Sequence, residues 1–289
     1  MSENPTQHIP GPHADAAGAP RWTRYVALGD SFSEGLWDPY PADGGAGAPA
    51  SDGVQRGWAD RLADTLSARR VAVGLDPLEY ANLAIRGRLL RPIVTEQVPI
   101  ALGLKPDLVS LIGGGNDVLR PGVDVDDISQ ALEDAVATIR ATGADVLLGT
   151  GFKAGGALSF IRSRVGTYNA NIWSIAQRHG AHVLDLWGMR ALFDLRMWAD
   201  DRLHLTPEGH RRVMNAALDA LRLAPDDAAY DLPLDPVPPA PFAQKARADA
   251  EWAREYVVPW VKRRIRHTSS GDGRAAKWPL PVRWPDSRG

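Results

Sequence analysis

The chain of 289 residues contains no cysteine. This absence excludes a disulfide scaffold, thiolate metal sites, iron–sulfur clusters and a cysteine nucleophile. No uninterrupted apolar run approaches the ~20 residues that a membrane-spanning helix requires. The first residues, MSENPTQHIPGPHADAAGAP, also lack the basic and apolar regions of a secretory signal peptide. These absences predict a soluble, cytoplasmic protein without thiol chemistry.

The chain also lacks a strong net charge, because 33 Lys and Arg residues face 35 Asp and Glu residues, a balance of −2. A generally basic nucleic-acid binder is therefore not expected. The charges are unevenly distributed, however. Residues 260–289 hold eight basic and two acidic residues, a net of +6, which leaves −8 for the rest of the chain. An acidic body is thus joined to a basic C-terminal tail.

Short apolar runs alternate with amphipathic helical patterns from residue 24 onwards, and this alternation predicts an α/β fold. The last helical pattern begins at Thr206-Pro207-Glu208, an N-cap residue followed by proline at the first helical position. We expect a flavodoxin-like, three-layer α/β/α domain with a five-stranded parallel sheet and a ligand site at the carboxyl ends of its strands. The predicted strands are Tyr25–Leu28, Leu78–Leu83, Asp107–Ile112, Asp145–Gly149 and His182–Leu186.

Composition divides the chain into four parts. Residues 1–20 are rich in Pro, Ala and Gly and are predicted to be disordered, whereas residues 21–224 carry the α/β pattern. Residues 225–241 have the composition of a stiff, proline-rich linker. Residues 242–289 are predicted to form a helical extension with a basic, Trp-containing tail, of which residues 267–289 are expected to be loosely structured.

The C-terminal extension permits two interpretations. Its first half is amphipathic and can pack Trp252 and Tyr256 against the acidic body, with the basic end meeting that body. Alternatively, the basic and aromatic segment Trp260–Arg266 contacts an anionic membrane surface or a nucleic acid. The first interpretation is favoured because the basic segment is short and follows a helix break at Pro259. Membrane contact by the tail stays open, and no nucleic-acid partner is expected.

Two segments offer a nucleophile and a base. Ser31 directly follows the first predicted strand at a helix start, where its backbone N–H can donate to a developing oxyanion. Asp201 precedes His204 by three residues, a spacing at which the carboxylate can accept the Nδ1–H and leave Nε2 facing a nucleophile. Taken singly, the first segment is more typical of a helix N-cap. Taken singly, the second could instead be a surface turn with an incidental histidine, and half of a metal site is the weaker alternative.

Two further segments follow predicted strands and are rich in glycine. Gly113-Gly114-Gly115-Asn116 permits a close backbone approach to a ligand, and the amide of Asn116 offers an N–H donor. Gly87 can present an unhindered backbone N–H. Taken singly, each segment is a turn, and a phosphate cradle is disfavoured because neither phosphate-binding glycine motif is complete. A metal site is disfavoured too, because the next histidine after His204 is His210, six residues on.

Together the four segments open on one edge of the predicted sheet and supply the groups that acyl transfer requires. Their order and spacing resemble the sequence blocks of the SGNH (GDSL) hydrolases over about residues 24–223. The first block matches as GDSFSEG at residues 29–35, with Phe32 where the family name has Leu. The later blocks match at Gly87, at GGND in residues 114–117, and at Asp201 with His204.

The resemblance implies a serine hydrolase that cleaves carboxylic esters without a cofactor or metal. Ser31 would be the nucleophile, His204 the general base and Asp201 the carboxylate that orients the base. The oxyanion donors would be the backbone N–H groups of Ser31 and Gly87 and the side chain of Asn116. An acyl-enzyme forms on Ser31, and water activated by His204 then releases the acid.

The substrate stays open beyond a small-molecule acyl ester. Carbohydrate O-acetyl groups, lysophospholipids and thioesters are alternatives that the same site would hydrolyse. A non-catalytic module that binds an anionic membrane or a nucleic acid through its tail is disfavoured by the complete catalytic set. Arg86 and Arg88 flank Gly87, and a solvated position is favoured for both over a role in binding an anionic substrate. The sequence does not predict the oligomeric state.

Overall fold

The computed structural model describes residues 19–40, 54–153, 156–238, 241–259 and 269–285. Its strands are β1 Arg24–Gly29, β2 Glu79–Asn82, β3 Leu108–Ile112, β4 Asp145–Gly149, β5 His182–Leu184 and β6 Trp278–Arg283. Its α-helices are α1 Ser31–Glu34, α2 Gly57–Ala72, α3 Leu90–Pro92, α4 Val98–Gly103, α5 Gly115–Val118, α6 Val125–Arg140, α7 Arg162–His179, α8 Pro207–Ala220 and α9 Phe242–Trp252. Single π-helical turns occupy Ile93–Gln97 and Ala253–Val257, and short 3₁₀ segments occupy Gly156–Ile161, Ala191–Phe193 and Leu195–Met197.

The strands form one mixed sheet in the order β5-β4-β3-β1-β2-β6. The first five strands of this order run parallel to their neighbours, so that β1 lies between β2 and β3. This arrangement of β1 to β5 is the flavodoxin-like order, with helices on both faces of the sheet. The predicted α/β fold is therefore confirmed.

The predicted number of strands is wrong by one. The sixth strand, β6, comes from the C-terminal tail and pairs antiparallel with β2, with Glu79 opposite Arg283 and Tyr80 opposite Val282. Its sequence, WPLPVR, holds two prolines, which argue against a strand in a sequence pattern because proline cannot donate to the hydrogen-bond ladder. The expectation that residues 267–289 are loosely structured is wrong for this strand. An edge position tolerates both prolines.

Each strand contributes to two hydrophobic layers because successive side chains point to opposite faces of the sheet. Along β1, Tyr25 and Ala27 belong to one buried cluster, and Val26 and Leu28 belong to the other. Helices α2 and α8 pack against each other over the first layer, and α6 and α7 pack against each other over the second. The sheet is thus covered on both faces, which leaves the ends of its strands for a site.

A buried ion pair joins the C-terminal tail to the domain. The Nζ atom of Lys277 lies 2.8 Å from Oδ1 of Asp60, whose side chain is fully buried. The same ammonium donates to the carbonyl oxygens of Glu34 at 2.7 Å, Gln55 at 2.7 Å and Arg56 at 3.0 Å. Burial lowers the pKa of Lys277 below its usual range, against the attraction of Asp60. The positive charge of Lys277 is nevertheless paired with the Asp60 carboxylate, and three carbonyl oxygens accept hydrogen bonds from the ammonium.

Asp60 also accepts hydrogen bonds from the aromatic side chains around it. The hydroxyl groups of Tyr40 and Tyr80 donate to it at 2.8 and 2.7 Å, and the indole N–H of Trp278 donates at 3.2 Å. Tyr80 belongs to β2 and Trp278 to β6, so the carboxylate bridges the two strands. A buried carboxylate requires such partners, because an unpaired charge in the interior is costly.

Segments on either side of the domain also pack against it. Arg212 of α8 donates to the carbonyl oxygens of Tyr230 at 2.8 Å and Leu232 at 3.0 Å, within the predicted linker 225–241. Before β1, Ala19 and Pro20 are buried. The rest of the segment predicted to be disordered, residues 1–18, lies outside the described residues.

One other prediction falls on a part of the chain that the structure does not describe. The basic segment Trp260–Arg266 lies outside the described residues. Among the helices that are described, none combines the length and the apolar character needed to cross a membrane.

The buried ion pair predicts a loss of stability in Lys277→Met. The variant keeps the length of the side chain but leaves the Asp60 carboxylate buried without its cation. We expect the free energy of unfolding to fall by about 3–5 kcal/mol, as is typical when one partner of a buried pair is removed. Urea unfolding followed by circular dichroism measures the change.

The matched control for this experiment is Lys105→Met, at an exposed lysine. The control should alter the free energy of unfolding by no more than about 0.5 kcal/mol. A Lys277→Met variant as stable as the control would contradict the importance of the pair.

Candidate active site

Ser31 lies at the carboxyl end of β1, where the chain turns directly into α1. The turn needs glycine before it, because a Cβ on Gly29 would lie 2.4 Å from the carbonyl oxygen of Ile112 in β3. The side-chain amide of Gln97 holds the same glycine, accepting from its N–H at 2.8 Å and donating to its carbonyl oxygen at 2.9 Å. Asp30 then caps α1 by accepting the N–H of Phe32 at 3.1 Å. These contacts fix the backbone on both sides of Ser31.

The structure brings the predicted nucleophile and base together. Nε2 of His204 lies 2.9 Å from Oγ of Ser31, and Nδ1 of the same ring lies 2.5 Å from Oδ2 of Asp201. The second carboxylate oxygen of Asp201 accepts the backbone N–H groups of Leu203 and His204, each at 3.0 Å. The three side chains therefore form one continuous hydrogen-bonded chain that ends at the serine hydroxyl.

The environment of Asp201 favours its ionised form. Burial acts to raise the pKa of this carboxyl, but the hydrogen bond and charge of His204 and the two backbone N–H groups outweigh it and hold the pKa below its usual range. Asp201 is thus negatively charged at neutral pH. An ionised carboxylate bonded to Nδ1 fixes the orientation of the ring and can stabilise its protonated form.

Gly87 and Asn116 lie in the same cavity as Ser31, Asp201 and His204. Nδ2 of Asn116 is 3.1 Å from Oδ2 of Asp30 and 3.1 Å from the carbonyl oxygen of Arg88. An amide nitrogen carries two hydrogens, so a ligand oxygen that binds to this group would replace one of these acceptors.

Gly87 occupies a position that another residue would not fit. It adopts the left-handed φ of +75°, and a Cβ there would lie 2.2 Å from Oγ of Ser269. The segment that begins at Ser269 belongs to the C-terminal extension. The extension therefore lies directly against this glycine.

The cavity has a volume of about 1620 Å³, and its lining is mainly apolar, although Arg120, Thr150, Lys153 and Arg162 also border it. Three of its lining side chains are unusually exposed for large apolar groups, namely Phe160 at 64 %, Leu195 at 64 % and Phe193 at 52 %. Exposed apolar groups beside a concave site are typical of ligand binding. The deeper lining includes Val118, Phe152, Ile161, Val165, Leu192 and Trp198.

Several residues that line this cavity were not predictable from the sequence. Trp252 and Tyr256 follow one face of the extension, and Ser269 and Ser270 lie beside Gly87. The amphipathic pattern of the extension predicted that Trp252 and Tyr256 lie on a buried face. It did not indicate which part of the domain that face contacts. A contact between residues so far apart in the chain leaves no local signal in the sequence.

Asp30 was also not predicted as part of the site, and the pKa of its carboxyl is unusual. Burial raises its pKa to about 6, with a further increase from the nearby Asp117, while the Phe32 N–H, His204 and Asn116 act in the opposite direction. In sequence, the Asp-Ser pair indicated only a helix cap. In the structure, the same carboxyl also bonds to Asn116.

The expectation that Arg86 and Arg88 are solvated is wrong for Arg86. Its guanidinium is buried against Glu34, with Nε 2.8 Å from Oε1, and its backbone N–H donates to Oε2 at 2.6 Å. Arg88 is partly exposed and pairs with Glu96 at 3.0 Å. The Arg86 pair holds the segment before Gly87 to the end of α1, so this arginine is directed away from a substrate.

His210 is buried and neutral. Its Nδ1 accepts the backbone N–H of Trp58 at 3.2 Å, and its Nε2 lies 3.2 Å from the carbonyl oxygen of Leu36. Burial lowers its pKa to about 4. With both ring nitrogens engaged, His210 packs the domain and is not placed to bind a metal. In the described part of the chain, no group of His, Asp and Glu residues has the arrangement of a metal site.

The raised pKa of Asp30 predicts a pH-dependent effect of Asp30→Asn, which keeps a capping residue but removes the charge. The folded pKa of about 6 exceeds the ordinary value of 3.8, so the ionised carboxyl destabilises the fold above pH ~6 and not below pH ~4. We expect the variant to be more stable than the wild type near pH 8, by up to about 3 kcal/mol, and no gain near pH 4.

Urea unfolding at both pH values tests this expectation. Asp76→Asn, at a carboxyl that is 79 % exposed, serves as the matched control and should show no such pH-dependent gain. An Asp30→Asn variant without extra stability near pH 8 would contradict the raised pKa.

Comparison with solved structures gives similar folds. A variant of the acetyl xylan esterase Axe2 from Geobacillus stearothermophilus has a TM-score of 0.58 and 21 % identity, over 71 % of this chain and 97 % of the other. LAE5, an α/β hydrolase enzyme from the metagenome of Lake Arreo, Spain, has a TM-score of 0.57 and 26 % identity, over 72 % and 99 %. TesA has a TM-score of 0.53 and 23 % identity, over 69 % and 98 %.

Comparison with protein families and with curated proteins shows which family the chain belongs to. No curated protein matches it significantly. The GDSL-like lipase/acylhydrolase family matches residues 27–212, a range that holds the second half of β1, all of β2 to β5 and all five predicted site residues. The chain belongs to the GDSL-like lipase/acylhydrolase family and is a carboxylic ester hydrolase.

Proposed function

We propose that the protein hydrolyses carboxylic esters through an acyl-enzyme on Ser31. The observation that supports this proposal is the hydrogen-bonded chain from Asp201 through His204 to the hydroxyl of Ser31, at distances of 2.5 and 2.9 Å. The serine hydroxyl needs an adjacent base, because it is a weak nucleophile by itself. Ser31, His204 and Asp201 all line the cavity, through which an ester can approach the serine hydroxyl.

The first step forms the acyl-enzyme. Oγ of Ser31 attacks the acyl carbon while Nε2 of His204 takes its proton, and Asp201 stabilises the positive charge on the ring. The tetrahedral intermediate then collapses as the protonated His204 gives its proton to the leaving alcohol. In the second step water attacks the acyl carbon while His204 takes its proton, and His204 then returns that proton to Oγ of Ser31 as the bond to the acyl carbon breaks and the carboxylic acid leaves.

The proposed oxyanion donors are the backbone N–H groups of Ser31 and Gly87 and the amide of Asn116. The Ser31 N–H belongs to the first turn of α1, where backbone N–H groups have no helical acceptor. For Asn116, the oxyanion takes the place of Asp30 or of the Arg88 carbonyl oxygen as acceptor. Each such donor typically contributes a factor of about 10²–10³ to turnover.

We propose further that the acyl group is apolar and longer than acetyl. A cavity of about 1620 Å³ whose lining is mainly aliphatic and aromatic offers an acetyl group few contacts, whereas a longer chain is removed from water against the apolar part of the wall. The Axe2 esterase acts on acetyl xylan. An acetylated carbohydrate is therefore the alternative substrate class, and the polar groups available to its hydroxyls are those of Arg120, Thr150, Lys153 and Arg162 at the cavity wall.

The proposed nucleophile predicts a nearly complete loss of activity in Ser31→Ala. We expect kcat for p-nitrophenyl esters to fall by about 10⁴-fold or more, because the variant has no nucleophile for the acyl-enzyme. A fluorophosphonate probe followed by peptide mapping should modify the wild type at Ser31 and leave the variant unmodified.

The matched control for this pair of measurements is Ser163→Ala, at an exposed serine of α7. The control should keep both activity and labelling. Activity retained in Ser31→Ala, or a label on another residue, would contradict the proposal.

The apolar cavity predicts a preference among acyl chains. From p-nitrophenyl acetate to decanoate, we expect kcat/KM to rise by up to about fourfold per added methylene until the cavity is filled, which corresponds to ~0.8 kcal/mol per buried CH₂. Acetylated xylo-oligosaccharides measured in parallel should be poorer substrates than the best long-chain ester. A maximum at acetate, with faster deacetylation of the sugars, would favour the carbohydrate alternative.

A further inference from the structure

The loop that carries Asp201 and His204 is a short hairpin. An antiparallel bridge between Trp198 and Leu205 closes its base, and the backbone N–H of Ala199 donates to the carbonyl oxygen of His204 at 2.8 Å. Arg202, at its tip, adopts the left-handed φ of +54°, which is unusual for a residue other than glycine. Such a conformation persists only where surrounding contacts determine it.

Helix α9 of the C-terminal extension supplies contacts at this tip. The indole N–H of Trp252 donates to the backbone carbonyl oxygen of Asp201 at 3.0 Å. The guanidinium of Arg202 lies 4.9 Å from the centre of the Trp252 ring and pairs with Oδ1 of Asp249 at 2.6 Å. The extension thus contacts the backbone of one predicted catalytic residue and the side chain of its neighbour.

The strengths of these contacts differ. Arg202 and Asp249 are both partly exposed, with 31 % and 39 % of their side chains accessible, so the ion pair between them is screened by water and salt. The hydrogen bond from Trp252 reaches a carbonyl oxygen inside the site, and its ring covers the guanidinium. The contacts of the Trp252 indole therefore stabilise the hairpin more than the ion pair between Arg202 and Asp249 does.

We propose that Trp252, aided by Asp249, is a positioning residue for the Asp201–His204 hairpin, and that the C-terminal extension is in this way a component of the active site. This inference rests on the proposed catalytic roles of Asp201 and His204. A shift of the Asp201 backbone moves the carboxylate away from Nδ1, and the ring then loses its alignment with Ser31. Misplacement of a catalytic group by a fraction of an ångström already lowers the rate of the chemical step.

Trp252→Phe is the decisive variant, because phenylalanine keeps a ring over Arg202 but removes the indole N–H. We expect kcat to fall about three- to tenfold, as is typical for the loss of one hydrogen bond, with KM unchanged within about twofold. The rate of fluorophosphonate labelling of Ser31 should fall by the same factor, since it reports the activation of the serine without a substrate.

Two further measurements separate positioning from a general effect on stability. The acid limb of the kcat/KM profile should move to lower pH in Trp252→Phe, because a displaced Asp201 stabilises the protonated base less well. Asp249→Asn should give a smaller loss of kcat of about twofold, and added salt should reduce the difference from the wild type. This second variant also keeps the test available if Trp252→Phe does not fold.

The matched control is Trp173→Phe, at an exposed tryptophan on α7. It should leave kcat, the labelling rate and the pH profile unchanged. The inference is overturned if Trp252→Phe and Asp249→Asn both keep the wild-type labelling rate and pH profile, or if they lower only the melting temperature. If Ser31→Ala keeps its activity, the proposed function itself fails, which is a different result from wild-type behaviour of the Trp252 variant.

Discussion

The contact between Asp60 and Lys277 is the interaction on which the arrangement of the chain depends. Asp60 belongs to α2 on one face of the sheet, and its carboxylate is fully buried beside β2. Its cation comes from residue 277, more than two hundred positions later in the chain. A buried carboxylate without a cation would carry a large desolvation penalty, so the domain requires its C-terminal segment. The tail is therefore part of the fold rather than an addition to it.

The parallel sheet brings the proposed site residues together because the carboxyl ends of its strands share one edge. Ser31 follows β1, Gly87 comes after β2 and Asn116 comes after β3, while Asp201 and His204 precede α8. Each residue is then fixed by a separate contact, such as the amide of Gln97 on Gly29 and the indole of Trp252 on Asp201. The sheet topology places these residues at one edge, and the local contacts fix the distances between them.

The features that were predictable from the sequence are those with a local pattern. Five strands are visible as short apolar runs, and the family is visible as sequence blocks in a characteristic order, which hold the proposed site residues. The partners of those residues were not predictable, because Gln97, Trp252 and Lys277 act through contacts with distant parts of the chain. The pairing of Arg86 with Glu34 is of the same kind, since exposure is the ordinary expectation for an arginine in a loop. The positive charge of the tail was evident from the sequence, but that charge did not identify Asp60 as the buried carboxylate that pairs with Lys277.

The two prolines of β6 determine how the sheet ends. The backbone N–H of Trp284 donates to the carbonyl oxygen of Leu78, and the ladder between β6 and β2 shifts register between the pairs Tyr80–Val282 and Asn82–Trp278. Pro279 and Pro281 lie within this irregular stretch, and neither has an N–H to donate. Prolines and an irregular ladder on an edge strand both disfavour pairing with a strand from another molecule. The tail that completes the sheet thus also makes this edge a poor template for intermolecular strand addition.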